Sequence, residues 1–345
     1  MTSDADVILL FGGPSRERLV SVASAQNVAP LLGSPRCWFW AATGALHELG
    51  VRELTAHERP FERELAPRDP ARWPDIKHAL ASCSGRETFF LALHGGVGED
   101  GTLQGWLEER RLAFTGSGSR ASRDAFDKAR AREIVAASGV RVAEAALVQG
   151  CDPARARERL AGLLERFAKL VLKPVADGSS MGLRILEGPA ELADALAALE
   201  KDGDRPYLAE AFVTGTELTV GVIDDAAGLR ALPCSEVRVE RGRSFGYTEK
   251  YLGTGAREIT PAEVPDAVAR AAQELAVTAH RALGCAGYTR TDLIVDAQGP
   301  VYLETNTLPG LTRASFIPQQ LAAAGVPFER FVRRQLELAR RRAGR

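Results

Sequence analysis

The sequence lacks the features that mark several common classes of protein. Its five cysteines, scattered from Cys37 to Cys285, contain no C-x-x-C pair, so the pattern predicts reduced thiols and neither a disulfide framework nor a zinc site. No apolar run approaches the roughly 18 residues of a membrane-spanning helix, and the net charge of −1 provides no general attraction for nucleic acid or an anionic membrane. The N-terminal stretch MTSDADVILLFGG has no basic leader segment. Together these absences predict a cytoplasmic protein that binds neither nucleic acid nor membrane.

Lysine is also scarce: six lysines stand against 38 arginines. Lys128, Lys173 and Lys250 nevertheless fall within the motifs FDKAR, LKPVADGSS and YTEKYLG. The second motif follows an apolar run and is rich in glycine and serine, although the chain has no P-loop of the form G-x-x-x-x-G-K-[ST]. Because a compact ammonium group suits phosphate oxygens, the three motifs are candidates for phosphate contacts.

A chain of 345 residues exceeds one ordinary hydrophobic core, and two or three domains are expected. Apolar runs that end in glycine alternate with helical patterns at 6–13, 88–96 and 112–118, which is typical of a parallel α/β sheet. A single helix is predicted over 123–139, and a compact α+β unit follows it. We predict domains at 1–122, 123–213 and 214–345, and we interpret the basic C-terminal helix as a solvated face.

The clearest candidate site is the segment YTRTDLIVDAQGPVYLETN, residues 288–306. A turn at DAQG predicts a hairpin that places Asp292 opposite Glu304. Because side chains alternate along a strand, Arg290 lies beside Asp292, and Tyr302, Glu304 and Asn306 are expected on one face. Carboxylate and amide oxygens converging there favour a Mg²⁺ site over a merely solvated hairpin face.

Two further glycine-rich segments follow predicted strands. HGGVGEDGTLQG, residues 94–105, satisfies G-x-G-x-x-G, but Glu99 and Asp100 would repel a pyrophosphate, and no acid follows at the end of the next strand. A dinucleotide site is therefore the weaker interpretation. In GGPSRERLVS, Glu17 could either interact with a helix dipole or bind a cationic group in the crevice.

The chain contains, in this order, the motifs LFGGPSRERLVS, ALHGGVGEDGTLQG, FTGSG, DKARAR, LKPVADGSSMG, EAFVTGTELTVGV, EKYL, TRTDL and LETNTLPGLTRASFIP. With this ordered set the sequence resembles the ATP-grasp superfamily, and within it the D-alanine–D-alanine ligases. The resemblance covers essentially the whole chain. It implies a three-domain ATP-grasp architecture, an N-terminal parallel α/β domain followed by two α+β domains that enclose ATP. It also implies ATP-dependent joining of two D-alanines through an acyl phosphate, for peptidoglycan precursors, and by analogy a homodimer.

The resemblance also implies roles for individual residues at the amino-acid sites. Glu17 would bind the ammonium of the first D-alanine, in a hydrogen-bonded set with Ser179 and Tyr251, and His94 would line the same pocket. Arg290 would stabilise the tetrahedral intermediate. The carboxylate of the second D-alanine would be held by three residues at the start of a late helix, namely Gly310, Ser315 and the backbone N–H of Phe316.

Other implied roles concern the nucleotide. Lys128, Lys173 and Lys250 would contact the phosphates, while Glu210 and Glu217 would bind the adenine amino group and the ribose hydroxyls. Asp292, Glu304 and Asn306 would hold two Mg²⁺ (or Mn²⁺). At Ala211 and Ala176 many relatives carry a basic residue, so weaker adenine and phosphate contacts are expected.

Several of these residues could instead have a purely structural role: His94 could be a hydrogen-bonded core histidine, and Glu217 could pair with a surface arginine. At the level of function, a relative that uses D-serine or D-lactate is the nearest alternative, although Tyr251 favours an amine acceptor over D-lactate. An NAD-dependent oxidoreductase and a silent ATP-binding homologue are more distant possibilities.

Overall fold

The computed structural model of the chain describes residues 6–178, 182–239 and 256–344. The first unit is a sheet in the order β3-β2-β1-β4-β5, in which only the β2–β3 pair is antiparallel. Its strands are β1 (Val7–Gly12), β2 (Arg36–Trp40), β3 (Leu46–Leu49), β4 (Thr88–Leu91) and β5 (Ala113–Phe114). All six residues of β1 are buried, as expected for a parallel strand covered on both faces. The predicted parallel α/β unit is confirmed.

Helices cover both faces of this first sheet. They are α1 (Arg18–Val28), α2 (Val51–Thr55), α3 (Ile76–Ala81) and α4 (Thr102–Glu109), with short 3₁₀ turns at Ala29–Leu32 and Gly96–Gly98. The apolar side chains divide into one cluster on each side of the sheet, with Leu9 in one and Ile8 in the other. The glycine-rich segments that follow β1 and β4 thus emerge at the same edge of the sheet, where ligand crevices form in open parallel sheets.

The single helix predicted over 123–139 is wrong, because the chain forms two helices, α5 (Ser119–Phe126) and α6 (Lys128–Ala137). Asp127 separates them in an extended conformation (φ −79°, ψ 100°), and its side chain accepts a hydrogen bond from the backbone N–H of Arg130. An aspartate that satisfies a free N–H of the first turn is a strong helix start. The break places Lys128 at the very beginning of α6.

The second unit is a four-stranded antiparallel sheet in the order β6-β9-β7-β8. Its elements are β6 (Ala145–Val148), α7 (Pro153–Phe167), β7 (Leu170–Pro174), β8 (Arg184–Leu186), α8 (Pro189–Asp202) and β9 (Tyr207–Ala211). Leu170 and Leu172 face the two helices in the core, whereas Lys173 lies on the opposite face of the sheet. β7 and β8 pair in antiparallel orientation, so the LKPVADGSS motif runs from the end of one strand of this sheet towards its antiparallel neighbour.

The third unit is a six-stranded antiparallel sheet in the order β13-β12-β10-β14-β15, with β11 paired to β10. Its strands are β10 (Thr216–Asp225), β11 (Gly228–Ala231), β12 (Ser235–Val239), β13 (Ala256–Ile259), β14 (Tyr288–Asp296) and β15 (Gly299–Asn306). The helix α9 (Asp266–Ala282) packs against one face through Leu275, Ala276 and Ala279. The other face carries the polar residues of the predicted hairpin.

Two helices, α10 (Phe316–Ala323) and α11 (Phe328–Arg342), complete the chain. The interpretation of the basic tail as a solvated face covers only one side of α11. Phe331, Val332 and Leu336, on the other side, join the same apolar cluster as Val7 and Leu9 of β1. The predicted domain limits at 122 and 213 remain a prediction, but the last helix completes the core of the first sheet. No helix within the described ranges is long and apolar enough to cross a membrane.

Candidate active site

The predicted hairpin forms with the expected turn and with nearly the expected register. Asp296 pairs with Gly299, Asp292 with Glu304, and Arg290 with Asn306. A β-bulge between Asp292 and Leu293 places Tyr302, rather than Leu303, opposite Leu293. Since an extra residue reverses the alternation of a strand, the expectation that Tyr302 shares the face of Glu304 is wrong. Tyr302 is instead buried in the core formed with α9.

Asp292 is the most heavily hydrogen-bonded side chain of this face. The Arg290 guanidinium donates from Nε to Oδ1 (2.9 Å) and from Nη2 to Oδ2 (2.8 Å). Thr219 Oγ1 donates to Oδ1 at 2.5 Å from the neighbouring strand β10, and Asn306 Nδ2 lies 3.4 Å from Oδ2. Thr219 was missed by the sequence reasoning, because nothing in the sequence shows which strand pairs with β14. The bidentate contact fixes the orientation of Arg290.

The oxygen donors of the hairpin fit a divalent cation. A carboxylate offers about four lone-pair positions, and at Asp292 three are taken by close donors, while the fourth has only the 3.4 Å contact with Asn306. Turning the Asn306 amide would present its oxygen there. Within residues 6–178, 182–239 and 256–344, no group of three or more His, Cys, Asp or Glu could hold a metal ion. Asp292, Glu304 and Asn306 together suit an ion that takes its remaining ligands from water and phosphate.

The two described lysines of the motifs lie beside acidic groups. Lys128 Nζ is 3.3 Å from Glu304 Oε2 and donates a 2.6 Å hydrogen bond to the carbonyl of Asp177. Lys173 Nζ is 2.5 Å from Glu210 Oε2, and Arg132 Nε is 3.9 Å from Glu210 Oε1. The side chains of Lys128 and Lys173 are mostly buried. Both ammonium groups therefore lie inside the molecule, where they can meet an anion that enters between the sheets.

Glu17 immediately precedes α1 and lies between two glycine segments. A Cβ placed on Gly95, or one placed on Gly178, would be 2.6 Å from Glu17 Oε2. Gly95 follows β4 and Gly178 belongs to the segment after β7, so the carboxylate lies where the first and second units meet. This position favours the interpretation in which Glu17 faces the crevice and binds a cationic group, over an interaction with the helix dipole alone.

His94 and Glu99 form the buried wall behind Glu17. His94 Nδ1 donates to the carbonyl of Leu308 (2.8 Å), and Nε2 accepts from the hydroxyl of Ser24 (2.9 Å). Burial lowers the pKa of His94. Burial, and then the charge of Glu17, raise the pKa of Glu99 to about 7. His94 is thus a satisfied buried histidine that also borders the cleft.

The same wall bears on the dinucleotide interpretation of the glycine motif. Glu99 Oε2 accepts the backbone N–H of Gly95 at 3.0 Å. A pyrophosphate would need such N–H groups for itself, and here a carboxylate of the motif already uses one of them. The contact disfavours a dinucleotide site at residues 94–105.

The residues predicted for the second carboxylate come together at the start of α10. Ser315 is the N-cap, and its Oγ accepts the N–H of Thr312 (3.1 Å). A Cβ on Gly310 would be 2.7 Å from Ser315 Oγ, and the Arg290 guanidinium carbon is 5.8 Å from the centre of the Phe316 ring. The start of a helix is a natural anion site, because its backbone N–H groups and the positive end of its dipole point outward there.

Seven of the thirteen predicted site residues that the structure describes line one cleft. Those that line it include Glu17, His94, Lys128, Arg290, Glu304, Asn306 and Gly310. Ser315 and Phe316 adjoin it through Gly310 and Arg290, while Lys173 and Glu210 form a pair on the face of the second sheet. Glu217 lies on β10, two residues before Thr219. Ser179, Lys250 and Tyr251 lie outside the described residues.

Comparison with known proteins gives a consistent result. The family model "D-ala D-ala ligase N-terminus" matches residues 6–117, and "D-ala D-ala ligase C-terminus" matches residues 134–337. A D-alanine--D-alanine ligase of Leptospira interrogans is 40% identical over 98% of this chain and 99% of that protein. One of Bordetella petrii is 36% identical over 93% and 87%.

Solved structures agree. The VanG D-Ala:D-Ser ligase from Enterococcus faecalis superposes with a TM-score of 0.80 at 26% identity, covering 98% of this chain and all of that one (100%). The D-alanine-D-alanine ligase from Coxiella burnetii has a TM-score of 0.79 at 24% identity over 99% and 96%, a likeness of fold. The three-sheet architecture and both family matches lead to one conclusion: the chain belongs to the D-alanine–D-alanine ligase family of ATP-grasp enzymes.

Proposed function

We propose that the protein joins two molecules of D-alanine at the expense of ATP, for peptidoglycan precursors. The carboxylate of the first D-alanine takes the γ-phosphoryl group, the amine of the second attacks the resulting acyl phosphate, and inorganic phosphate leaves. The observation that carries this proposal is the convergence of Glu17, Arg290 and Glu304 on one cleft, with Asp292 paired to Glu304 and hydrogen-bonded to Arg290. Phosphoryl transfer requires mainly such positioning and charge neutralisation.

Each group of the cleft has a task in that reaction. Glu17 would attract the ammonium of the first D-alanine, and Arg290, whose guanidinium is hydrogen-bonded to Asp292, would stabilise the oxyanion of the tetrahedral intermediate. Lys128 and Lys173 neutralise the phosphates of ATP, with Lys250 and with Glu210 and Glu217 as further nucleotide contacts. Gly310, Ser315 and the N–H of Phe316 receive the second carboxylate.

The remaining assignments complete the proposal. Asp292, Glu304 and Asn306 would hold divalent metal, two Mg²⁺ in our proposal, which neutralises phosphate charge when bound. Ser179 and Tyr251 would join Glu17 at the first D-alanine. The homodimer and the cytoplasmic location remain predictions.

The test is release of inorganic phosphate from ATP and Mg²⁺ with a panel of D-alanine, L-alanine, D-serine and D-lactate. We expect release that depends on D-alanine, with D-alanyl-D-alanine as the product and no response to L-alanine. Thermal unfolding provides a cheaper check: ATP with Mg²⁺ should raise the melting temperature and NAD should not. Absence of turnover with D-alanine would overturn the assignment.

D-serine is the second candidate for the attacking amino acid, and one observation favours it. The VanG D-Ala:D-Ser ligase resembles this chain over its full length. Competition between D-alanine and D-serine in the same assay decides between the two. The ratio of D-alanyl-D-serine to D-alanyl-D-alanine reports the ratio of the kcat/KM values for the two attacking amino acids.

A further inference from the structure

The backbone of Leu308 is held from both sides by one short segment of the first unit. His94 Nδ1 donates to its carbonyl at 2.8 Å, and Glu99 Oε1 accepts its N–H at 3.4 Å. Leu308 lies two residues before Gly310, in the segment that leads from β15 to the start of α10. The two contacts fix the course of this segment relative to the glycine motif after β4.

The second oxygen of Glu99 holds the other side of the cleft. Oε2 accepts the N–H of Gly95 at 3.0 Å, and Gly95 is the glycine whose Cβ would meet Glu17 Oε2 at 2.6 Å. One carboxylate thus links the backbone beside Glu17 to the backbone that leads to Gly310. Ser24 strengthens the same wall, because its hydroxyl donates to His94 and accepts the N–H of Leu311.

Burying a carboxylate costs free energy unless hydrogen bonds or an opposite charge compensate for the lost water. Glu99 is only 9% exposed, and its carboxylate accepts hydrogen bonds from two backbone N–H groups, those of Gly95 and Leu308. The same unit contains a second buried carboxylate whose hydrogen bonds only stabilise a local turn, and it serves as a comparison for Glu99. Glu87, at the other end of β4, is 8% exposed and accepts the N–H groups of Ser84 and Gly85, away from the cleft.

We propose that Glu99 is a positioning residue that sets the distance between the two amino-acid subsites, by holding Gly95 beside Glu17 and Leu308 before Gly310. This inference rests on the proposed function for its kinetic consequence. Glu99 lines the cleft with its carboxylate oxygens engaged by backbone N–H groups, and it thereby fixes the two segments that must present the acyl phosphate and the attacking amine to each other. Small errors in the distance between two reacting groups lower the rate of the chemical step steeply.

The test is Glu99→Gln, with Glu87→Gln as the matched control. Glutamine keeps the shape but accepts only one of the two N–H groups, because its amide nitrogen faces the other. In Glu99→Gln we expect kcat/KM for D-alanine to fall about tenfold or more, while the KM for ATP changes by less than about twofold. Glu87→Gln should leave both within about twofold. Unchanged D-alanine dependence in Glu99→Gln, or equal effects in the two variants, would overturn the proposal.

Amide hydrogen exchange gives a readout that needs no substrate. Peptides that cover residues 93–96 and 306–312 should exchange faster together in Glu99→Gln than in the wild type, and at the wild-type rate in Glu87→Gln. If the wild type does not use D-alanine, the proposed function fails while this exchange result still decides the role of Glu99. Faster exchange in only one of the two segments would contradict a link between them.

Discussion

At the scale of single residues, Lys128 and Glu304 are neighbours, although both are assigned to the nucleotide and its metal. Their charged atoms are 3.3 Å apart, with both side chains largely sheltered from water. Glu304→Gln would remove a metal-binding charge while keeping the volume. We expect kcat to fall at least about 100-fold, because a neutral amide binds a divalent cation poorly.

Titration with Mg²⁺ at saturating ATP and D-alanine checks this prediction. The variant should need much more Mg²⁺, whereas Glu258→Gln, on β13 and outside the cleft lining, should behave as the wild type. Near-normal turnover of Glu304→Gln at ordinary Mg²⁺ concentrations would show that the hairpin does not hold the metal.

Glu99 gives a prediction about stability and pH. Burial and then Glu17 raise its pKa from 4.5 to about 7, so the folded state binds the proton more tightly than the unfolded chain. Its contribution to the free energy of unfolding is complete below about pH 4.5 and is lost as pH rises to about 7. Relative to Glu99→Gln, the wild type should therefore lose roughly 2 to 3 kcal/mol between pH 5 and pH 8.

Urea denaturation of both proteins at several pH values measures this difference. Glu87→Gln is the control, because the pKa of Glu87 is shifted in the opposite direction to that of Glu99. Backbone hydrogen bonds outweigh desolvation there and lower the pKa of Glu87 below 4.5, so its contribution is lost only in acid. Its difference from the wild type should be flat between pH 5 and pH 8. A flat difference for Glu99→Gln as well would mean that Glu99 is ionised throughout.

At the scale of elements, the segment after β7 approaches Glu17 through Gly178. In Gly178→Ala the new methyl group would lie 2.6 Å from Glu17 Oε2 and would displace the carboxylate, which is the mobile end of its side chain. We expect kcat/KM for D-alanine to fall about 10- to 100-fold, with little change in the melting temperature.

Gly162→Ala is the matched control, because Gly162 lies inside α7 and a Cβ there meets nothing within 4 Å. It should keep full activity and gain up to about 1 kcal/mol in the free energy of unfolding from helix propensity. Steady-state kinetics and thermal unfolding of both variants decide the matter. Normal use of D-alanine by Gly178→Ala would place the first substrate elsewhere.

The elements also show what the sequence could and could not predict. Strand alternation and the DAQG turn were enough to place Asp292 opposite Glu304, because both are local properties of a hairpin. The bulge that turns Tyr302 into the core depends on packing against α9, and Thr219 reaches Asp292 only through the pairing of β10 with β14. Glu99 was interpreted only as an obstacle to pyrophosphate, since its partner Leu308 is 209 residues away in the chain.

At the scale of the whole molecule, the first sheet depends on the last helix. Phe331 of α11 is 3% exposed, packs edge-on against Tyr288 at 5.2 Å, and belongs to the same apolar cluster as Val7, Leu9 and Phe90 of the first sheet. The N-terminal unit therefore needs residues more than 300 positions later to complete its core. Phe331→Ala should cost about 3 to 5 kcal/mol of the free energy of unfolding, as the loss of a large buried side chain does.

Hydrogen exchange locates that loss. In Phe331→Ala the amides of β1 and β4 should lose protection together with those of α11, because the same cluster joins them. Arg330→Ala, one residue earlier on the exposed side of the helix, should stay within about 0.5 kcal/mol of the wild type. If β1 and β4 kept their protection in Phe331→Ala, the first sheet would be stable without α11. Since Glu17 and the glycine motif both extend from that sheet, loosening of α11 should also raise the KM for D-alanine, although Phe331 is not part of the cleft lining.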